Sequence, residues 1–386
     1  MTSVDRVVQE AQRVAERAAA ELDAILVDVE RWCAVLAPTG DVAALTGLAN
    51  MLAHRLEDIG LAVELVDVPG AAPYLHAVLE GPGMARVALL CHHDTVEPTS
   101  ADWGPTIRDG RICGLGVADM RGGLAVAVHA ARLLAEGRRP FARLEIVSAS
   151  DEEGRGRPPA TLDRLRGFDA VLCFECGSRD GSVISARKGA RWVRLEATGR
   201  EAHAGVEPDE GRNAVAALAW EVVRLEALRR RPGGETVEVT TFDGGHAVNT
   251  VPGRAELVAD VRALTDDALE RLVSQVCAVE SRDEVELAGV DLGGFPAMPR
   301  TEANAALARA ASEIGRSLGV EIGEATTGGS SDACWVATLG VPVLDGLGPV
   351  GGLDHTPSEY AEIASFTVRC GIAAGLVAKV DGGLLS

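Results

Sequence analysis

Aromatic residues are scarce. Phe, Trp and Tyr together supply 3% of the 386 residues, so the core must be filled by Ala, Val and Leu. Positive charge is short too: the formal net charge of -20 argues against nucleic acid or an anionic membrane as a main partner. No stretch reads as long and apolar enough to span a bilayer. The opening "MTSVDRVVQEAQRVAERAAAELDAIL" mixes acids with bases along an amphipathic pattern, which fits a surface helix and not a secretory signal. The 8 Cys follow no framework spacing and sit mostly in apolar company, as expected of reduced, buried thiols in a cytoplasmic enzyme. "CFEC" has no second Cys-x-x-Cys to complete a structural zinc site, so Cys173 and Cys176 read as packing residues, with a redox pair as the alternative. Internal repeats and low-complexity linkers are missing as well.

What is present is an ordinary soluble balance, 47% hydrophobic and 24% charged, in a length that suits one large or two moderate domains. After a helical stretch ending at Gly60, short β-rich runs alternate with helical ones. "LAVELVDV", "HAVLEG", "ARVALLCHHD", "ARLEIVSAS" and "DAVLCFECGS" read as strands; "GGLAVAVHAARLLAEG" and the region of "PPATLDRLRGF" read as helices. This alternation predicts an α/β unit with a largely parallel sheet. From Gly189 the order becomes β-α-β-β-α-β, the ferredoxin-like pattern. Near Pro299 long helices return. The expected organisation is an α/β domain over 1–188 and 298–386, interrupted by an inserted α+β domain over 189–297.

Polar residues gather where the α/β strands end. "ALLCHHDT" delivers His92, His93 and Asp94; "EIVSASDEEG" delivers Asp151, Glu152 and Glu153. "AVLCFECG" ends in Glu175, "GLGVADMRGG" places Asp119 before a helix, and "GGLDHTPSEY" carries His355. Active sites of open α/β sheets lie at the carboxyl ends of strands. Each piece also fits a plainer role: Glu152 and Glu153 as a solvated pair, Asp119 as a helix cap, Glu175 as a lone strand-end acid. Converging, two His and three carboxylates would suit a pair of divalent ions, zinc first, with cobalt and manganese compatible with the same donors.

The order of these motifs resembles the M20 family of metallopeptidases and amidohydrolases, which includes glutamate carboxypeptidase, succinyl-diaminopimelate desuccinylase and acetylornithine deacetylase. The similarity runs through "HHDTV", "GLGVADMRGG", "SDEEGRG", "EATGREAHAG", "GGHAVNTVPG" with "DVR", and "TGGSSDA" with "LDHTPSEY". The resemblance implies a zinc-exopeptidase-like α/β catalytic domain with an inserted ferredoxin-like lid that mediates a homodimer. By it, His92 and Glu175 hold one ion, Glu153 and His355 the other, and Asp119 bridges them. Asp94 orients His92, Glu152 is the general base, and His203 of the inserted domain donates to the oxyanion from the other subunit. Asn249 and Arg262 match positions that hold the substrate carboxylate. The glycine loop Gly328, Gly329 and Ser330 would offer backbone N–H groups to it, and Asp332 reads as a structural cap.

The texture is closest to the glutamate carboxypeptidases, with one departure that bears on the substrate. Phe295 in "GFPAMPR" stands where those enzymes carry an arginine that helps to bind glutamate, which implies a less charged substrate. Cys91 and His246 depart as well. The expected activity is release of a C-terminal amino acid from a short peptide or N-acyl amino acid bearing a free carboxylate. The competing expectations are a deacylase or desuccinylase of a biosynthetic intermediate, and a metal-binding homologue without catalysis.

Overall fold

The computed structural model describes residues 3–99, 103–229 and 233–385. These fall into two compact units: one made of the chain up to Ala186 with Arg300–Thr326 and Ser331 onward, the other of Arg187–Pro299 with Thr327–Ser330.

In the first unit six strands form a mixed sheet in the order Ala62–Val66, Tyr74–Glu80, Arg143–Ala149, Arg86–His92, Ala170–Cys173, Val343–Leu344. The last four run parallel, and Tyr74–Glu80 is antiparallel to Arg143–Ala149. From Val87 to His92 every residue is buried, which is why "VALLCH" lacks the alternation of a half-exposed strand. The helix Ser3–Ala20 buries Val7, Ala11, Val14 and Ala18, a 3.6-residue stripe, and packs along Ile363–Asp381. Close approach there needs glycine: a Cβ on Gly371 would lie 2.8 Å from Ala15 Cβ, and one on Gly375 would lie 3.1 Å from Ala11 Cβ.

Two readings of the sequence are corrected here. Ile363–Asp381 is in fact long and apolar enough, by length and composition, to cross a membrane; most of its apolar window is buried against the helices around it, as in a core helix. The expected helix near "PPATLDRLRGF" is a single 3-10 turn, Leu162–Leu165. Pro158 and Pro159 before it and Gly167 after it, at φ 78°, leave too few residues to nucleate an α-helix.

The second unit is an antiparallel sheet in the order Thr236–Gly244, Arg254–Ala263, Gly189–Thr198, Glu286–Phe295, with the helices Ala214–Glu226 and Asp266–Cys277 packed on it. Its topology is the ferredoxin-like one. Along Arg254–Ala263 the buried residues Ala255, Leu257, Ala259, Val261 and Ala263 alternate with Arg254, Glu256, Val258, Asp260 and Arg262, so that one face is core and the other mostly charged.

Candidate metal centre

Three neighbouring parallel strands of the first unit deliver the cluster from their carboxyl ends. Arg86–His92 ends on His92, Arg143–Ala149 leads into the short turn Glu152–Gly154, and Ala170–Cys173 runs on to Glu175. His92 Nε2 lies 3.2 Å from Asp119 Oδ1 and 3.7 Å from Glu175 Oε1. His355 Nε2 lies 3.1 Å from Asp119 Oδ2 and 3.1 Å from Glu153 Oε2. Asp119 therefore turns one oxygen to each imidazole, and the ligand atoms of each triad lie within 4.8 Å of one another. Leu353 and His355 hold positive φ angles of 63° and 62°, a conformation that non-glycine residues keep only where surroundings impose it.

The electrostatics of the cluster call for cations. Asp94, Asp119, Glu152, Glu153 and Glu175 gather around the imidazoles of His92 and His355, an acidic donor set that divalent cations would neutralise. Burial pushes the Glu175 carboxyl well up, and Asp119 beside it adds to the effect. Hydrogen bonds to Asp119 and then Glu153 push the His355 imidazole up to about 11. Imidazole nitrogens and carboxylate oxygens converging at these distances fit two divalent ions, one held by His92, Asp119 and Glu175, the other by Asp119, Glu153 and His355.

Asp94 ties the pieces together. Its Oδ1 lies 3.2 Å from His92 Nδ1, which leaves Nε2 to face the cluster. The same carboxylate accepts the amide N–H of Glu152 at 3.2 Å and of Glu153 at 3.1 Å, and the Thr39 hydroxyl at 2.6 Å. Glu152 itself is buried, and its carboxyl is raised well above the ordinary range by that burial and then by Asp332, Glu153 and Asp94, against the pull of His92. Glu359, buried, accepts the amides of Ala118 at 2.9 Å and Asp119 at 3.1 Å, which holds the Asp119 backbone in place. His93 turns away from the cluster and meets Ser148 Oγ at 3.0 Å.

His203, Asn249, Arg262 and the glycine loop belong to the second unit. His203 is exposed, on a two-residue strand paired with Thr250–Val251, next to Asn249, whose carbonyl accepts the Ala204 amide at 2.8 Å. Its Nδ1 accepts the amides of Gly205 and Val206, both at 3.2 Å, so in the neutral ring Nε2 carries the proton and can donate. Arg262 spends its fork on Asp260, at 2.7 and 3.0 Å, and gives Nη1 to the Gly328 carbonyl at 2.7 Å. The glycine loop is thus held by its carbonyls, since Arg187 Nη1 likewise donates to Gly329, while the Ser330 hydroxyl donates to the Lys188 carbonyl at 2.9 Å. Phe295 is buried at the end of its strand opposite Ala190.

Asp332 is not a cap. The cap of Asp332–Ala337 is Ser331, whose hydroxyl accepts the Ala333 amide at 3.2 Å. Asp332 instead pairs with Arg155, which also binds Asp151 and Tyr74. Tyr74 and Arg155 went unread as site residues. Their signals were thin: one of the chain's 2 Tyr, and an Arg inside "SDEEGRG".

The sequence model of peptidase family M20/M25/M40 matches residues 88–379. Carboxypeptidase G2 from Pseudomonas sp. is 28% identical, covering 94% of this chain and 91% of its own. A succinyl-diaminopimelate desuccinylase from Bordetella parapertussis is 31% identical over 82% of this chain and 88% of its own. Among solved structures, a tripeptidase from Staphylococcus aureus superposes with a TM-score of 0.80 at 21% identity, covering 94% of this chain and 99% of its own. An M20 family metallo-carboxypeptidase from Sulfolobus solfataricus gives a TM-score of 0.75 at 16% identity, with 92% and 99% covered.

Proposed function

Because the chain belongs to peptidase family M20/M25/M40, a family of metal-dependent hydrolases, we propose that it cleaves an amide bond and releases a C-terminal amino acid from a short peptide or N-acyl amino acid. The observation that carries this reading is Asp119, placed with one carboxylate oxygen on each of two imidazoles that have acidic partners of their own. Zinc is the proposed metal, on the strength of the nitrogen and oxygen donors.

Two bound divalent ions supply a polarised scissile carbonyl and an attacking water of lowered pKa. The remaining work falls to the chain. Glu152, on a turn whose amides Asp94 grips, takes the proton from the water and returns it to the leaving amine. Asp94 holds the His92 ring with Nε2 toward the cluster. In the proposed homodimer, His203 of the partner subunit donates from Nε2 to the developing oxyanion. Arg262 and Asn249 receive the substrate carboxylate, Arg262 through the N–H groups not taken by Asp260 and Gly328.

A second reading, deacylation of an N-acylated biosynthetic intermediate, uses the same centre. It is supported by the similarity to desuccinylases and by Phe295, which offers no cation for a glutamate side chain. A homodimer and a cytoplasmic setting are part of the proposal. For the dimer, the outer face of Ala214–Glu226 presents Ala216, Ala219, Trp220 and Val223, an exposed apolar stripe at helical spacing that a second copy would cover. For the setting, none of the eight cysteines is in a disulfide and six of them are buried.

The test is hydrolysis, by zinc-loaded protein with and without a chelator, of a panel of dipeptides and N-acyl amino acids that includes glutamate-terminated members. Chelator-sensitive release of a C-terminal amino acid supports the reading. Turnover confined to N-succinyl or N-acetyl intermediates moves it to the deacylase, and turnover that survives the chelator refutes the metal-dependent mechanism.

A further inference from the structure

The turn Glu152–Gly154 spans three residues and carries both the proposed base and a proposed ligand, so something must fix it. Asp94 takes its two leading amides. Its flanks, Asp151 and Arg155, close on each other through Arg155 Nη1 and Asp151 Oδ1. Tyr74 joins them: its hydroxyl donates to Asp151 and accepts Arg155 Nη1 at 2.8 Å. Arg155 Nε donates to the Arg157 carbonyl at 2.9 Å, and Nη2 reaches Asp332 at the start of the helix Asp332–Ala337. One guanidinium therefore joins both ends of the turn to the strand Tyr74–Glu80 and to a helix that follows the turn by 177 positions.

All four side chains are buried, Tyr74 at 0%, Arg155 at 3%, Asp332 at 3% and Asp151 at 6% exposure. Burying one cation with two carboxylates is a poor way to gain stability, because desolvation of the charges offsets most of their attraction. Asp151 also accepts from the half-exposed Arg157 at 3.2 Å. What the network supplies is a preferred geometry, since turning the Arg155 guanidinium away leaves Asp332 buried without its ion-pair partner. A planar fork with donors on three sides can hold three partners at fixed angles; an ammonium group cannot.

We propose that Arg155 is a positioning residue that sets the Glu152–Gly154 turn, and through it the placing of Glu153 in the second metal triad. The inference rests on the reading of Glu153 as a ligand, and the two fail separately in the following experiment.

Zinc alone is titrated calorimetrically into the metal-free full-length protein, its Arg155→Lys and Tyr74→Phe variants, and the controls Glu153→Ala and Glu175→Ala, which assign the two sites. Arg155→Lys keeps the charge and loses the fork. Its expected effect is a weakening of the Glu153 site by about tenfold or more, the range found for partners of metal ligands, with the Glu175 site within about twofold of wild type. Tyr74→Phe, which keeps the packing and removes one hydroxyl, is expected to act in the same direction and less strongly, and it decides the matter if Arg155→Lys does not fold. A lower thermal midpoint with both affinities unchanged, in whichever variant folds, overturns the proposal and leaves Arg155 a structural residue. If Glu153→Ala leaves both sites intact, the ligand assignment fails instead.

Discussion

Gly123 separates helix propensity from active-site packing. It lies in the first turn of Arg121–Ala135, with a φ that any residue adopts, so alanine there would ordinarily stabilise the helix by roughly 0.5–1 kcal/mol. The site does not permit it. A Cβ on Gly123 would sit 1.8 Å from the carbonyl oxygen of Phe174 and 2.9 Å from its carbon. Real contacts of this kind do not fall under 3.0 Å, so the helix and the strand end must part by more than 1 Å. Overpacking of this sort costs about 1–3 kcal/mol, which outweighs the propensity gain. Phe174 is the residue before Glu175, so the displacement is passed to a ligand of the His92 triad. Gly123→Ala should lower the thermal midpoint by roughly 2–8 °C, taking a net loss of 1–2 kcal/mol in a unit of this size. It should also weaken the Glu175 zinc site selectively in calorimetric titration. A raised midpoint with wild-type zinc binding would show that helix propensity wins, and would refute the claim that the glycine is required by backbone contact with the strand that carries Glu175.

Further outcomes follow from other parts of the fold. Glu152→Gln should bind zinc as wild type does and lose about 10²–10⁴ in kcat; an unaffected kcat would remove Glu152 as the proton carrier. Asp28 is buried with His129 Nε2 at 2.9 Å and Arg55 Nε at 3.0 Å; burial pushes its carboxyl up, but those hydrogen bonds prevail and lower it. A depressed folded-state pKa contributes stability that is present above the unfolded value of about 3.9 and lost as pH falls through the folded one. Asp28→Asn should therefore be less stable than wild type at pH 7, with the gap narrowing below about pH 4, followed by urea denaturation at each pH. Trp220→Glu should convert a dimer to a monomer in sedimentation while zinc stoichiometry per chain stays the same; a wild-type protein that sediments as a monomer would dispose of the dimer.

The sequence was most legible where one element determines its own pattern. The buried run "VALLCH" announces a covered strand, and the alternation in "RAELVADVRA" announces a sheet with one wet face. Ligand types were legible for a related reason: a strand end is local, so His92, Glu152, Glu153 and Glu175 could be picked out as acids and imidazoles at the ends of apolar runs. Ile363–Asp381 escapes notice as an apolar stretch of spanning length because Arg369 and Lys379 interrupt its run. Its composition is that of a core helix and of a membrane helix alike, and only its packed neighbours distinguish them.

What sequence did not disclose is how the ligands are held, because the holding groups are distant in the chain and ordinary in type. Tyr74 meets Asp151 across 77 positions, Glu359 meets the Asp119 amide across 240, and Arg155 meets Asp332 across 177. Nothing in the local pattern of Tyr74, Arg155 or Glu359 marks it as one of these partners. Asp332 shows the difficulty well. Beside Ser331 at the start of a short helix it has the look of a cap, yet the serine hydroxyl caps the helix and leaves the carboxylate free to pair with Arg155. Ser331 is held in that role by its hydrogen bond to Asp345, and Arg155, which takes the carboxylate of Asp332, also binds Asp151 and Tyr74. Motif resemblance carries ligand identities from one chain to another, since the chemistry of the ion demands particular donors. It carries no partner for Arg155, whose contacts with Tyr74 and Asp332 are set by residues far away in the chain.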